Sequence, residues 1–400
     1  MDRLLKAAEL ESDGLVSFAR RLVQTPSLSG QEQEVAGLVE AEMRALGYDE
    51  VWRDDAGNVI GRFLGTGGGR TVMLNGHMDH VDAGPVDAWA HPPYSGEVAD
   101  GRLYGRGAAD MKGALASMVY SVALLGRAGL RPAGDVLVTA VVQEETGGLG
   151  TQFLVESGLR ADCAVVGEAT SLELRRGHRG RLEVMATVNG RAVHASAPER
   201  GANPHYTLAS FVQRVRALEL PRHPDLVGAS VAPTLCQGDQ TSSNVIPGRV
   251  VLRLDYRTLP GEKADEVASR FQALLDESFT DGCSGKVEIE KRLMSTYTGW
   301  EKVVLNAFPA FILPADAPEV RTAVAALAEL TGQEPKVGLW RFSTDGGHLV
   351  EAGIPTIGYG PGEESQVHTV NESIAVEELV RGAAGYAALC LALSQPETAS

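Results

Sequence analysis

Three strand-length runs in this chain, residues 71–74, 135–142 and 163–166, are apolar at nearly every position, so both of their faces must be covered. A strand with one wet face would alternate instead. Segments of helical period lie around them. Residues 112–126 carry an Ala, Leu, Met and Val face, and residues 13–47 read as two helical stretches broken at Thr25-Pro-Ser-Leu-Ser-Gly30. The pattern predicts an α/β fold, a mixed and mainly parallel sheet sandwiched by helices. In such sheets ligands gather at the carboxyl ends of the strands.

After Ala169 the texture changes. Residues 181–193 and 249–257 alternate apolar and polar, as half-exposed antiparallel strands do, with helices expected at 204–218 and 264–278. This predicts an inserted α+β, ferredoxin-like domain over residues 178–293, which splits the main domain into residues 1–177 and 294–400. The second part returns to helix (318–330), buried strand (354–359) and a last helix (376–394).

Asp and Glu number 52 against 36 Lys and Arg, a formal charge of -16, which argues against nucleic acid and anionic membrane surfaces as partners. No apolar run approaches membrane-spanning length, and residues 1–10 read as the start of an amphipathic helix rather than a signal segment. Cys163, Cys236, Cys283 and Cys390 are scattered without CxxC pairing, as expected for reduced, buried thiols in a cytoplasmic protein. The glycines of residues 65–69 lack the Lys-Ser/Thr of a phosphate cradle.

The chemistry lies where the apolar runs stop. The first ends in Gly76-His77-Met-Asp79, the second in Gln143-Glu144-Glu145-Thr-Gly-Gly, and the third in Gly167-Glu168. Asp110 opens the helix that follows Gly105-Arg-Gly-Ala-Ala, and His368 comes late in the chain. Taken singly, each acid could be a cap or a solvated charge. Jointly, they place carboxylates and imidazoles at the face where an α/β sheet collects its ligands. With Asp110, Glu145 and Glu168 as ligands beside neutral His77 and His368, one divalent ion leaves a negative charge uncompensated, whereas two ions and a hydroxide sum to zero. The donor set suits zinc and admits cobalt or manganese. On an extended chain adjacent Glu144 and Glu145 point apart, so one can ligate while the other, Glu144, acts as general base toward the held water.

This ordered set resembles the metallopeptidase family of acetylornithine deacetylase, succinyl-diaminopimelate desuccinylase, aminoacylase and glutamate carboxypeptidase, over nearly the whole chain. The resemblance implies that Asp110 bridges two metal ions, that His77 and Glu168 complete one site and Glu145 and His368 the other, and that Asp79 orients His77. It also implies a cis peptide at Asp110-Met111. Gly190-Arg-Ala-Val-His194 resembles the histidine loop of the family's lid and dimerisation domain, which implies that His194 stabilises an oxyanion across a homodimer formed through residues 178–293. Thr241-Ser-Ser-Asn244 and Asp255-Tyr-Arg257 resemble the segment that grips a substrate carboxylate. The expected reaction is deacylation of an N-acyl amino acid, with dipeptide or carboxypeptidase cleavage as the alternative and a non-catalytic binding protein as a remote one. Ser343-Thr-Asp345-Gly-Gly-His348 and Gly358-Tyr-Gly-Pro-Gly362 match the family's substrate loops only loosely, which leaves the substrate open. His80, His91, His178, His205, His223 and His348 have no matched role and are expected to be structural or solvated.

Overall fold

The computed structural model describes residues 1–396. Its main sheet has eight strands in the order Glu50–Arg53, Val59–Phe63, Val136–Val141, Val72–His77, Cys163–Val166, Thr356–Gly358, Leu174–Arg175, Val337–Gly338. The four central strands, from Val136–Val141 to Thr356–Gly358, run parallel. Every residue of these four is buried, as their unbroken apolar character requires.

The helices Asp2–Gln24, Gly113–Arg127 and Val376–Leu393 cover one face. Against the expectation that no run approaches membrane-spanning length, the segment Ala108–Arg127 is long and apolar enough to cross a membrane, but residues 108–125 are buried in this layer, as in the core helix of a folded domain. It can lie flat against the sheet because the strand beneath carries Gly76, where a Cβ would collide with the Met111 and Met118 side chains. Truncating a fully buried side chain such as Leu115 to Ala would cost about 2–5 kcal/mol. The other face packs Trp340, Leu349, Leu154 and Phe311 against Ile60, Met73 and Leu137.

The inserted domain is a separate antiparallel sheet in the order Ser230–Gly238, Arg249–Arg257, Arg181–Asn189, Ser284–Ile289, with the helices Pro204–Ala217 and Ala264–Asp276 sharing its apolar core. This is the ferredoxin-like arrangement expected from the alternation. Asn203 caps the first helix, its side chain accepting the His205 N–H. Ser230–Gly238 is an edge strand exposed at eight of its nine positions. Cys236 lies on it and is exposed, and Cys283 is only half-buried, so the expectation that all four thiols are interior holds for Cys163 and Cys390 alone. The alternation that makes a half-buried strand cannot say whether a neighbour covers its outer edge.

Candidate metal centre

The parallel strand Val72–His77 delivers His77, 1% exposed, to its carboxyl end. The His77 Nε2 lies 3.1 Å from Asp110 Oδ1 and 3.5 Å from Glu168 Oε1. The other oxygen of Asp110, Oδ2, lies 3.1 Å from His368 Nε2, which is also 3.1 Å from Glu145 Oε2. One carboxylate therefore faces two imidazoles, each paired with one further glutamate. The five residues come from four strand ends or turns and one late loop, in which His368 adopts a left-handed φ of 60°. Ligand atoms bound about 2.0–2.2 Å from one metal sit about 3–3.6 Å apart, which these separations match. The donor atoms of His77, Asp110 and Glu145, and those of His77, Glu144 and Glu168, each lie within 4.8 Å of one another.

The electrostatics call for cations. Burial, reinforced by the charge of Asp110, pushes the Glu145 and Glu168 carboxyls up to about 7. Burial also drives Glu144 well above the carboxylate range, with Asp345 and Glu168 adding to the effect against His77. Hydrogen bonds to Asp110 and Glu145 raise His368 to about 10. Burial disfavours the charge on His77, yet its hydrogen bonds with Asp110, Asp79 and Glu168 lift its proton affinity well above normal. Divalent ions would favour the ionised form of these carboxylates.

Asp79 departs in detail from the expected role. The His77 Nδ1–H donates to the main-chain carbonyl of Asp79 at 3.0 Å, while the nearer carboxylate oxygen is 3.5 Å away. That donation leaves the lone pair on Nε2, as a ligand needs. The Asp79 carboxylate itself accepts the Glu144 N–H at 3.1 Å, the Glu145 N–H at 3.2 Å and the Ser29 hydroxyl at 2.6 Å. Asp79 thus aims the imidazole through its backbone and holds the two glutamates through its side chain. Those glutamates do not lie on an extended chain. Gln143 has a left-handed φ of 54°, and the Gly147 and Gly148 amides close a turn on the Glu144 carbonyl at 3.0 and 3.1 Å. The turn separates the two side chains. At Gly148, with φ of 70°, a Cβ would strike Asp345 and His348.

The Asp110-Met111 peptide is cis, as the resemblance implies. Glu372 was not singled out from the sequence. Its Oε1 accepts the Ala109 and Asp110 amides at 2.8 and 3.0 Å, and its Oε2 pairs with buried Arg106 at 2.6 Å. The signal that could have found it is an acid four residues beyond His368.

The remaining residues stand apart from this cluster. His194 is exposed; its Nδ1 accepts the Ser196 N–H at 3.2 Å and lies 2.7 Å from the Ser196 hydroxyl oxygen. Asn244 is exposed on the neighbouring segment, its carbonyl accepting the Ala195 N–H at 2.8 Å. Arg257 is half-buried and paired with Asp255 at 2.6 Å. Among the described residues, the hydrogen bonds and ion pairs of these three run to residues of the inserted domain, Ser196, Ala195, Val245 and Asp255 among them, rather than to the candidate metal ligands. The unmatched histidines divide as expected: His80 and His178 are buried structural acceptors of the Ser27 and Thr344 amides, and His205 is exposed. His348 is buried, near a cavity of about 400 Å³ between the domains that holds none of the cluster.

The sequence profile of Peptidase family M20/M25/M40 matches residues 73–392. The chain belongs to this family. The M20 chain is 33% identical over 393 residues to the uncharacterized protein YgeY of Escherichia coli (strain K12), covering 97% of this chain and 96% of YgeY. It is 27% identical over 412 residues to the N-formyl-4-amino-5-aminomethyl-2-methylpyrimidine deformylase of Halalkalibacterium halodurans, covering 95% and 94% of the two chains. Its fold is similar to that of aminopeptidase PepT from Bacillus cereus ATCC 10987, with a TM-score of 0.77 at 24% identity over 96% of this chain and 99% of PepT. As an M20 protein it is a metal-dependent hydrolase of amide or peptide bonds.

Proposed function

We propose that this M20 hydrolase deacylates an N-acyl amino acid, with His77, Asp110, Glu145, Glu168 and His368 holding two divalent ions, zinc with cobalt or manganese as substitutes. The observation that carries the reading is the Asp110 carboxylate, whose two oxygens each lie 3.1 Å from a different imidazole. Bound there, the ions supply Lewis acidity and a water acidic enough to ionise near neutral pH.

The chain's own residues do the rest. Glu144 takes the proton from the attacking water at its carboxylate and passes it to the leaving nitrogen. Its burial raises its proton affinity, which suits both halves of that exchange. Asp79 and Glu372 hold the main chain of the glutamate turn and of Asp110. His194, exposed on the inserted domain, donates to the developing oxyanion of the partner subunit's site, and Asn244 accompanies it. Arg257 is the guanidinium for a substrate carboxylate, in competition with Asp255. The exposed edge strand Ser230–Gly238 supports a homodimer through residues 178–293, and the absence of cysteine pairing among the described residues supports a cytoplasmic setting.

Deacylation is favoured over peptide cleavage because the deformylase relative removes a small acyl group from an amine. Kinetics on N-formyl, N-acetyl and N-succinyl amino acids beside dipeptides, each with zinc, cobalt or manganese, test the reading. Turnover should be highest on an N-acyl amino acid. Preference for dipeptides would replace the reading with the peptidase one.

A further inference from the structure

Between two strands of the inserted domain's sheet, Ser284–Ile289 and the short Ala307–Phe308 that pairs with Arg181–Asn189, lies a hairpin formed by Lys291–Ser295 and Glu301–Leu305. Although Thr298 and Gly299 at its tip are exposed, the tip is bonded to the main domain. The Tyr297 hydroxyl donates to the Gly57 carbonyl at 2.7 Å, the Thr298 hydroxyl donates to the Asp55 carbonyl at 2.7 Å, and Lys302 pairs with Glu156. The Trp300 ring meets the Phe153 ring edge-on at 4.9 Å, and Phe153 lies in the helix Leu149–Glu156 directly after the glutamate turn.

The hairpin also reaches the residue before the turn. The Gln143 side-chain amide donates to the Ser295 carbonyl at 2.7 Å, and the Gln143 main-chain N–H donates to Glu32 at 3.1 Å. Gln143 is 2% exposed and holds the left-handed conformation that starts the turn. Three anchors therefore set the turn: Asp79 and Glu32 from the main domain, and Ser295 from the hairpin. Only the last is continuous with the inserted domain. Glu290, the one residue between strand and hairpin, is tied back to that domain by Arg253 at 3.0 Å.

We propose that the 291–305 hairpin is a strap and Gln143 its receiving residue, so that the seating of the inserted domain sets the backbone from which Glu144 is aimed. Gln143 is a positioning residue on this reading, acting through Glu144. The proposal rests on the role given to Glu144 above.

The test uses full-length Gln143→Ala, Trp300→Ala and the double variant, loaded with zinc. Each single variant should lower kcat about tenfold, with KM and zinc content near wild type. The double should lose little more than either single, because both changes release one strap. Amide hydrogen exchange over residues 144–148 should quicken in each. Losses that multiply in the double, or unchanged kcat and exchange in the singles, would overturn the proposal. Should Gln143→Ala fail to fold, Tyr297→Phe, which removes one hydroxyl, takes its place in the cycle. Were wild type inactive on every amide offered, the function reading would fall, and the exchange measurement alone would still decide the strap.

Discussion

At the end of the parallel sheet, His77, Asp110, Glu144 and Glu168 are at most 6% exposed, and main-chain amides and carbonyls hold the groups around them. In the inserted domain His194 and Asn244 are exposed, and Arg257 is held only by a neighbouring acid two residues away. The contacts of the first set, with Glu145 and the exposed His368 beside it, are all made within one chain. The side chains of the second bond only to near neighbours in sequence among the described residues, His194 to Ser196 and Arg257 to Asp255. A buried cluster of like charges survives only with compensating cations and fixed dipoles, whereas exposed donors cost nothing to hold in reserve for a partner.

The sharpest way to break this contrast is at Glu144. Glu144→Ala should lower kcat by about 10²–10⁴-fold, with elemental analysis still finding two zinc ions per chain; lost metal would make it a ligand instead of a base. Metal removal comes next. Dialysis against a chelator should destabilise the protein by about 4 kcal/mol per ion relative to a thousandfold excess over Kd. Calorimetry would read this as a lowered Tm, and hydrogen exchange should quicken around Glu144 and His368 while the strands Arg181–Asn189 and Arg249–Arg257 stay protected. Equal loosening of both domains would erase the distinction.

The lid half of the comparison is tested by complementation. His194→Ala and Glu144→Ala subunits, each inactive alone, should recover about a quarter of wild-type activity when mixed and re-equilibrated, since half the dimers then carry one intact site. No recovery would confine each site to one chain. The smallest effect is at the thiols. Cys236 on the open edge should label fastest, and slow severalfold as protein concentration favours a dimer. Cys163, buried and with its thiol pushed up to about 12, should label only on unfolding.

Much of the candidate centre was readable because three of its five candidate ligands follow apolar runs whose burial was itself readable: His77 after residues 71–74, Glu145 after 135–142, Glu168 after 163–166. Glu372 and Arg106 were not, because the groups they hold lie more than 260 residues away in the chain, and no local pattern marks such a pairing. The ferredoxin-like insertion was readable from its period of two, but the exposure of Cys236 was not, since alternation records faces and not edges.

The sequence by itself determined which strands need cover on both sides, and that their ends carry a donor set for divalent ions, because hydrophobic period and ligand chemistry are properties of residue types in order. Only the tertiary structure decided that the Asp79 carboxylate serves the Glu144 and Glu145 amides rather than the imidazole, and that Gln143 answers to Ser295 of a distant hairpin. Both are choices among competing hydrogen-bond partners, and distance and angle in the folded chain make them.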